Sequence, residues 1–296
     1  MAAFNRRKAR LYQAPKAGRD APDSALDVAE PSSLKTTRHR SIYLLPNAFT
    51  TAALFCGFYA IVMGMNQKFE QAGIAIFIAM VLDGLDGRIA RLTHTQSEFG
   101  AQYDSLSDMV SFGAAPALVM YEWSLKGMGK MGWLGAFIYC AGAALRLARF
   151  NTNIAVVDKR YFQGIPSPAA AALVAGLILV MTDEGIAGTG AVMRWAAWIV
   201  TVFAGLTMVS NVPFYSFKDV NFRKAVPYGM IFLIVLLFVA ISIHPPMVLF
   251  GIFVLFALSG YGVFFWRMFK GSPVSIIQTE IEGHDDMHGG GDSDER

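Results

Sequence analysis

Four aspartates define the chemistry open to this chain. Asp83 and Asp86 stand three residues apart, and Asp104 and Asp108 four apart, in the stretch DGLDGRIARLTHTQSEFGAQYDSLSD that links two apolar runs. At helical spacing each pair falls on one face of its helix. An antiparallel hairpin of the two runs would bring the acidic faces together. Asp83 precedes Arg91 by eight residues, which at about 1.5 Å per residue puts it roughly 12 Å beneath an interface marked by that arginine. An acid near the middle of a membrane helix costs about 2.5–3.5 kcal/mol, so four cost roughly 10 kcal/mol before their mutual repulsion is added.

Something cationic has to offset that cost. Arg88 and Arg91 are too few to neutralise four acids and are placed to snorkel toward the interface. A hard divalent cation, Mg²⁺ or Mn²⁺, suits such an oxygen-rich cluster, because these ions bind through a few carboxylates together with substrate phosphates. Small residues at Gly84, Gly87, Ala90, Gly100 and Ala101 would let backbone and ligand approach closely. Charge alone leaves a second use open: ion pairs or a proton path inside a transporter.

The elements that must carry these acids are apolar helices. Apolar residues form 54% of the 296-residue chain and charged residues only 16%, a balance that belongs to a polytopic membrane protein rather than a soluble domain. Runs near 42–64, 71–91, 103–122, 132–151, 167–181, 191–210, 226–244 and 247–266 predict an all-α membrane bundle of about eight transmembrane helices. A polar connection of about 12 residues is expected between the second and third. With the N-terminus inside, 21 of the 25 Lys and Arg lie on one side, against Lys68, Lys126, Lys130 and Arg194 on the other. The positive-inside rule then puts both termini and the four acids at the cytoplasmic side.

Residues 1–40 carry scattered Arg, Lys, Pro and Asp without an apolar core and read as a disordered cytoplasmic tail rather than a signal peptide. Residues 271–296 read as a second, acidic and Gly-rich tail, in which His284 and His288 are solvated rather than metal-binding. Cys56 and Cys140 sit inside apolar runs and offer neither a disulfide framework nor a CxxC site. Gly127, Gly129 and Gly132 match GxGxxG, but in a short loop with no preceding strand, so no dinucleotide site is expected. His94 reads as a solvated loop histidine, and nucleic acid is not an expected partner.

Written out, the pattern is Asp83-x2-Asp86-Gly87-x2-Ala90-Arg91-x8-Gly100-x3-Asp104-x3-Asp108. It resembles, at every fixed position, the signature of the CDP-alcohol phosphotransferases, membrane enzymes that move a phosphatidyl or phospho-alcohol group from a CDP-linked donor to an alcohol. The resemblance implies a six-helix catalytic core, placed here at 41–220 with additional C-terminal helices at 221–270, a homodimer, and dependence on Mg²⁺ or Mn²⁺. It also implies Asp83, Asp86, Asp104 and Asp108 as metal ligands, with Asp108 doubling as general base. Gly87, Ala90, Arg91 and Gly100 would adjoin the CDP-linked donor, with Arg91 on a phosphate.

The segments SEFGAQYDSLSDMVSFGAAPALVMY, SIYLLPNAFT, RLARFN, GIPSP and NVPFYSFKD further resemble the bacterial integral-membrane branch of this family that uses L-serine as acceptor. That branch implies CDP-diacylglycerol as donor, phosphatidylserine and CMP as products, and the bacterial inner membrane as location. A branch taking glycerol 3-phosphate or inositol phosphate is the nearest competitor. Asn47 and Thr50, near the start of the first helix, could face the nucleotide or supply only local hydrogen bonds. Arg146 and Arg149, at the cytoplasmic end of the fourth helix, could bind the carboxylate of an amino-acid acceptor bidentately or serve as interfacial anchors. Lys218 has the same two readings.

Overall fold

Each expected apolar run is helical. The computed structural model describes residues 36–93, 95–152, 161–215 and 228–270. The chain runs through α1 (Thr36–Met65), α2 (Phe69–Thr93), α3 (Glu98–Asp108), a π-helical turn (Met109–Ala114), α4 (Ala115–Trp123), a 3₁₀ turn (Leu125–Met128) and α5 (Lys130–Thr152). It continues as β1 (Tyr161–Gln163), α6 (Ser167–Asp183), α7 (Ala191–Val209), β2 (Pro213–Tyr215), α8 (Tyr228–Ile243) and α9 (Pro245–Phe269). Nearly all of the tails expected at 1–40 and 271–296, together with His94 and Lys218, lie outside the described residues.

The bundle is a membrane bundle. The segments Asn47–Met65, Lys130–Thr152, Ala191–Val209 and Pro245–Phe269 are each long and apolar enough to cross a bilayer. The charges of α2 set it apart from these, and α3 is short, 11 residues ending at the π turn. The rods turn large apolar side chains outward, among them Phe58, Ile78, Phe137, Ile199 and Leu255, where lipid rather than water is the solvent. The interior is rich in alanine, packed around a few large buried side chains such as Phe112, Tyr139 and Phe214, and small residues let helices approach closely where lipid removes the hydrophobic drive between them. On α2 the buried face reads Ala72, Gly73, Ala75, Ile76, Ala79 and then Asp86. The acids therefore continue the stripe that packs α2 into the bundle and point inward for that reason.

α1 lies against α2 along its length and also meets α3 and the π turn. A β-carbon added at Gly57 would fall onto Ser111 at 2.5 to 2.9 Å, so only glycine permits this approach. Ser107 and Ser111 donate to the carbonyls of Thr50 and Ala53 on α1 at 3.1 Å each. These bonds fix the height of α3 relative to α1.

Two features depart from expectation. The connection between the acid-bearing helices spans only residues 94–97, not about 12, because α2 persists to Thr93 and Ser97 caps α3 early, accepting from the Gly100 N–H at 3.0 Å. The second is a short antiparallel ribbon in which β1 pairs β2 with Tyr161 opposite Tyr215 and Gln163 opposite Pro213. β1 follows α5 in the chain, and β2 packs against α9.

Candidate active site

The hairpin does bring the acids together. Carboxylate oxygens of Asp83, Asp104 and Asp108 lie within 4.8 Å of one another. Asp83 and Asp108 are in hydrogen-bonding contact. Two ionised carboxylates have no donor to share, so this closeness calls for a proton or a cation between them. Oδ1 of Asp104 is buried with no hydrogen-bond partner among the described residues. An orphaned acceptor beside two converging carboxylates fits a hard divalent cation, and the donor set is all oxygen, as Mg²⁺ and Mn²⁺ require.

Asp86 is placed differently. It is 5% exposed and accepts from Thr50 Oγ1 at 2.7 Å, so one of its oxygens is already engaged while it faces the same cluster. Arg91 folds back over Gly87, its Nη1 3.6 Å from where a glycine β-carbon would sit, and acts electrostatically on Asp86. At Gly84 no described residue lies within 4 Å of an added β-carbon. Gly100 lies against the Asn47 side chain, with Oδ1 3.5 Å from an added β-carbon. Ala90 carries the carbonyl that accepts from the Thr95 N–H at 3.1 Å, turning the chain toward α3. The sites expected around the donor thus line one end of the hairpin.

The two arginines of α5 divide. Arg146 lies within electrostatic reach of Asp108 and donates from Nη1 to Ser167 Oγ at 3.1 Å, while its Nε is buried without a partner among the described residues. Arg149 is spent on backbone: its Nη2 reaches the carbonyls of Gln163, Met208 and Ser210 at 3.4 to 3.5 Å, and its Nη1 reaches Asn211 Oδ1 at 3.1 Å. It ties α5 to the ribbon and to the end of α7. Gly164 completes that junction with φ at +75° and no room for a β-carbon beside Met208 O. Its N–H donates to Val212 O at 2.9 Å.

The sequence offers Thr50 as facing a nucleotide or as supplying a local hydrogen bond, and does not reveal it as the donor to Asp86 on another helix. Nor does it reveal Tyr139, whose buried hydroxyl donates to Phe112 O at 2.9 Å within the π turn. The available signal was Pro116, four residues beyond Phe112.

A sequence model described as CDP-alcohol phosphatidyltransferase matches residues 43–203. The chain belongs to that family. Among its relatives in the family, it is similar to the CDP-diacylglycerol–serine O-phosphatidyltransferase of Helicobacter pylori, 34% identical over 225 residues that cover 76% of this chain and 92% of that protein. The protein of the same name from Mycobacterium bovis is 34% identical over 179 residues, covering 58% and 61%. That of Saccharomyces cerevisiae is 38% identical over 137 residues, covering 42% and 49%. The family match holds the whole acid cluster and both α5 arginines, whereas β2, α8 and α9 lie beyond it.

Proposed function

We propose that the protein transfers the phosphatidyl group of CDP-diacylglycerol to the hydroxyl of L-serine, giving phosphatidylserine and CMP. The observation that carries this is the meeting of Asp83, Asp104 and Asp108 within 4.8 Å inside a membrane bundle. The long alignment with relatives named for serine supports the choice of acceptor.

Asp83, Asp104 and Asp108, with Asp86 beside them, would hold Mg²⁺ or Mn²⁺. When bound, the metal neutralises the phosphate oxygens and stabilises the departing CMP, the main demand of phosphoryl transfer. Asp108 takes the proton from the serine hydroxyl as its oxygen forms the new bond to phosphorus. The bond from phosphorus to the CMP oxygen breaks in the same displacement. Arg146, adjacent to Asp108 and with unspent donors, receives the serine carboxylate. Arg149 supports the floor of that pocket and Lys218 adds interfacial charge. Asn47, Thr50, Gly87, Ala90, Arg91 and Gly100 form the donor side, with Arg91 swinging from Gly87 to a phosphate. The acyl chains stay in the inner leaflet of the bacterial inner membrane, and the site faces the cytoplasm. The working unit is a homodimer.

An acceptor panel tests the assignment. Purified protein with CDP-diacylglycerol and Mn²⁺ or Mg²⁺ should release CMP with L-serine, and not with glycerol 3-phosphate or inositol phosphate. Release with a phosphorylated acceptor keeps the chemistry and overturns the substrate. Solute flux in vesicles without CMP release would return the acids to transport.

A further inference from the structure

Directly after Asp108 the chain leaves the α-helical register. Residues Met109–Ala114 form a π turn, closed where the Ala115 N–H donates to Val110 O, five residues back. Pro116 explains it. In an α-helix the carbonyl of Phe112 would accept from the N–H of residue 116, but proline has none and its ring presses on the carbonyl four residues earlier. The widened turn relieves that conflict. The carbonyl of Phe112 then accepts from Tyr139 Oη at 2.9 Å, with both side chains fully buried.

Tyr139 is the first of three contacts from one face of α5. Ala143, four residues on, packs against Gly113 at a separation that would be 3.2 Å from an added β-carbon. Arg146, a further turn along, reaches Asp108 electrostatically. α5 therefore grips the π turn at Phe112, lies flush on it at Gly113, and meets the acid cluster at Asp108. An extra residue in one turn rotates everything before it by about 100° relative to everything after it, given 3.6 residues per turn. The register of Asp104 and Asp108 against Asp83 thus depends on the turn.

We propose that Tyr139 is a positioning residue for the metal cluster: by donating to the Phe112 carbonyl it holds the Pro116-induced π turn that aims Asp104 and Asp108 at Asp83. The inference rests on the reading of that cluster as a metal site. Tyr139 acts only through Phe112 and touches no reacting atom.

Tyr139→Phe keeps the buried ring and removes the donor. Mn²⁺ uptake by the purified full chain, followed without substrate through the electron paramagnetic resonance signal of free Mn²⁺, should weaken about 10- to 100-fold, the scale found for partners that orient metal ligands. Pro116→Ala in the same chain returns an N–H that can satisfy Phe112 in α-helical register. This double variant should regain thermal stability yet still bind Mn²⁺ weakly, because the register is lost. Binding by Tyr139→Phe within about twofold of wild type overturns the inference, as does a double variant that regains stability and Mn²⁺ affinity together, which marks a packing role alone. Absence of uptake by the wild type overturns the metal reading itself and the inference with it.

Discussion

Thr50 and Asp86 show how a single bond shapes the cluster. Thr50 Oγ1 donates to one oxygen of a nearly buried acid that lies within electrostatic reach of Asp83 and Asp104. Thr50→Val keeps the shape and deletes the donor, leaving a buried polar atom unpaired at a cost of about 1–3 kcal/mol. Expected are a lower melting temperature and a rise in the Mn²⁺ concentration needed for half-maximal activity, both measurable on purified protein. At this scale the sequence was most legible where charge had to be explained: acids at helical spacing in apolar runs predicted their own convergence. It was least legible for neutral partners. Nothing local to Tyr139 marks it, because its acceptor lies on another rod, and the cue at Pro116 becomes readable only once α5 is known to lie there.

The elements were legible as apolar runs but not at their joints. The capping of α3 by Ser97 and the persistence of α2 to Thr93 shorten the hairpin to four connecting residues. Hydropathy could not report this, since both ends are polar. The ribbon was hidden similarly: β1 and β2 have three residues each and are held by Arg149 and by the approach of Gly164 to α7. Gly164→Ala forces a left-handed conformation that costs a non-glycine residue roughly 1–2 kcal/mol and drives a β-carbon into the Met208 carbonyl. The expected outcome is a raised KM for serine with a smaller change in kcat, since the start of α6 at Ser167, the partner of Arg146, shifts while the acids stay in place. Equal KM values in the two proteins would separate the ribbon from acceptor binding.

At the scale of the molecule, α9 lies outside the family match yet is built into the bundle. Phe250 packs on Gly176 of α6, Phe253 lies 6.2 Å from Phe77 of α2 between ring centroids, and Tyr261 shares a 2.7 Å hydrogen bond with Thr207 of α7. Gly260 has the Phe214 ring of β2 where a β-carbon would go. Gly260→Leu should therefore displace either α9 or the ribbon and lower the thermal stability of the detergent-solubilised protein, while the same change at Gly251, where nothing lies within 4 Å, should not. α8 by contrast is apolar and exposed from Phe232 to Val239, as a helix bathed in lipid can be. Membrane class followed from composition alone because the bilayer constrains whole helices, whereas the docking of α9 rests on glycine contacts that hydropathy does not register.

Direct transfer to the serine hydroxyl at a metal-holding aspartate cluster leaves an isotopic signature. Serine labelled with ¹⁸O in its hydroxyl, incubated with CDP-diacylglycerol, divalent metal and purified protein, gives products whose masses can be read. Labelled phosphatidylserine and unlabelled CMP are expected in equal amount, with neither product after chelation or in Asp108→Asn. CMP accompanied by phosphatidic acid, or full turnover by Asp108→Asn, would contradict direct transfer at this cluster.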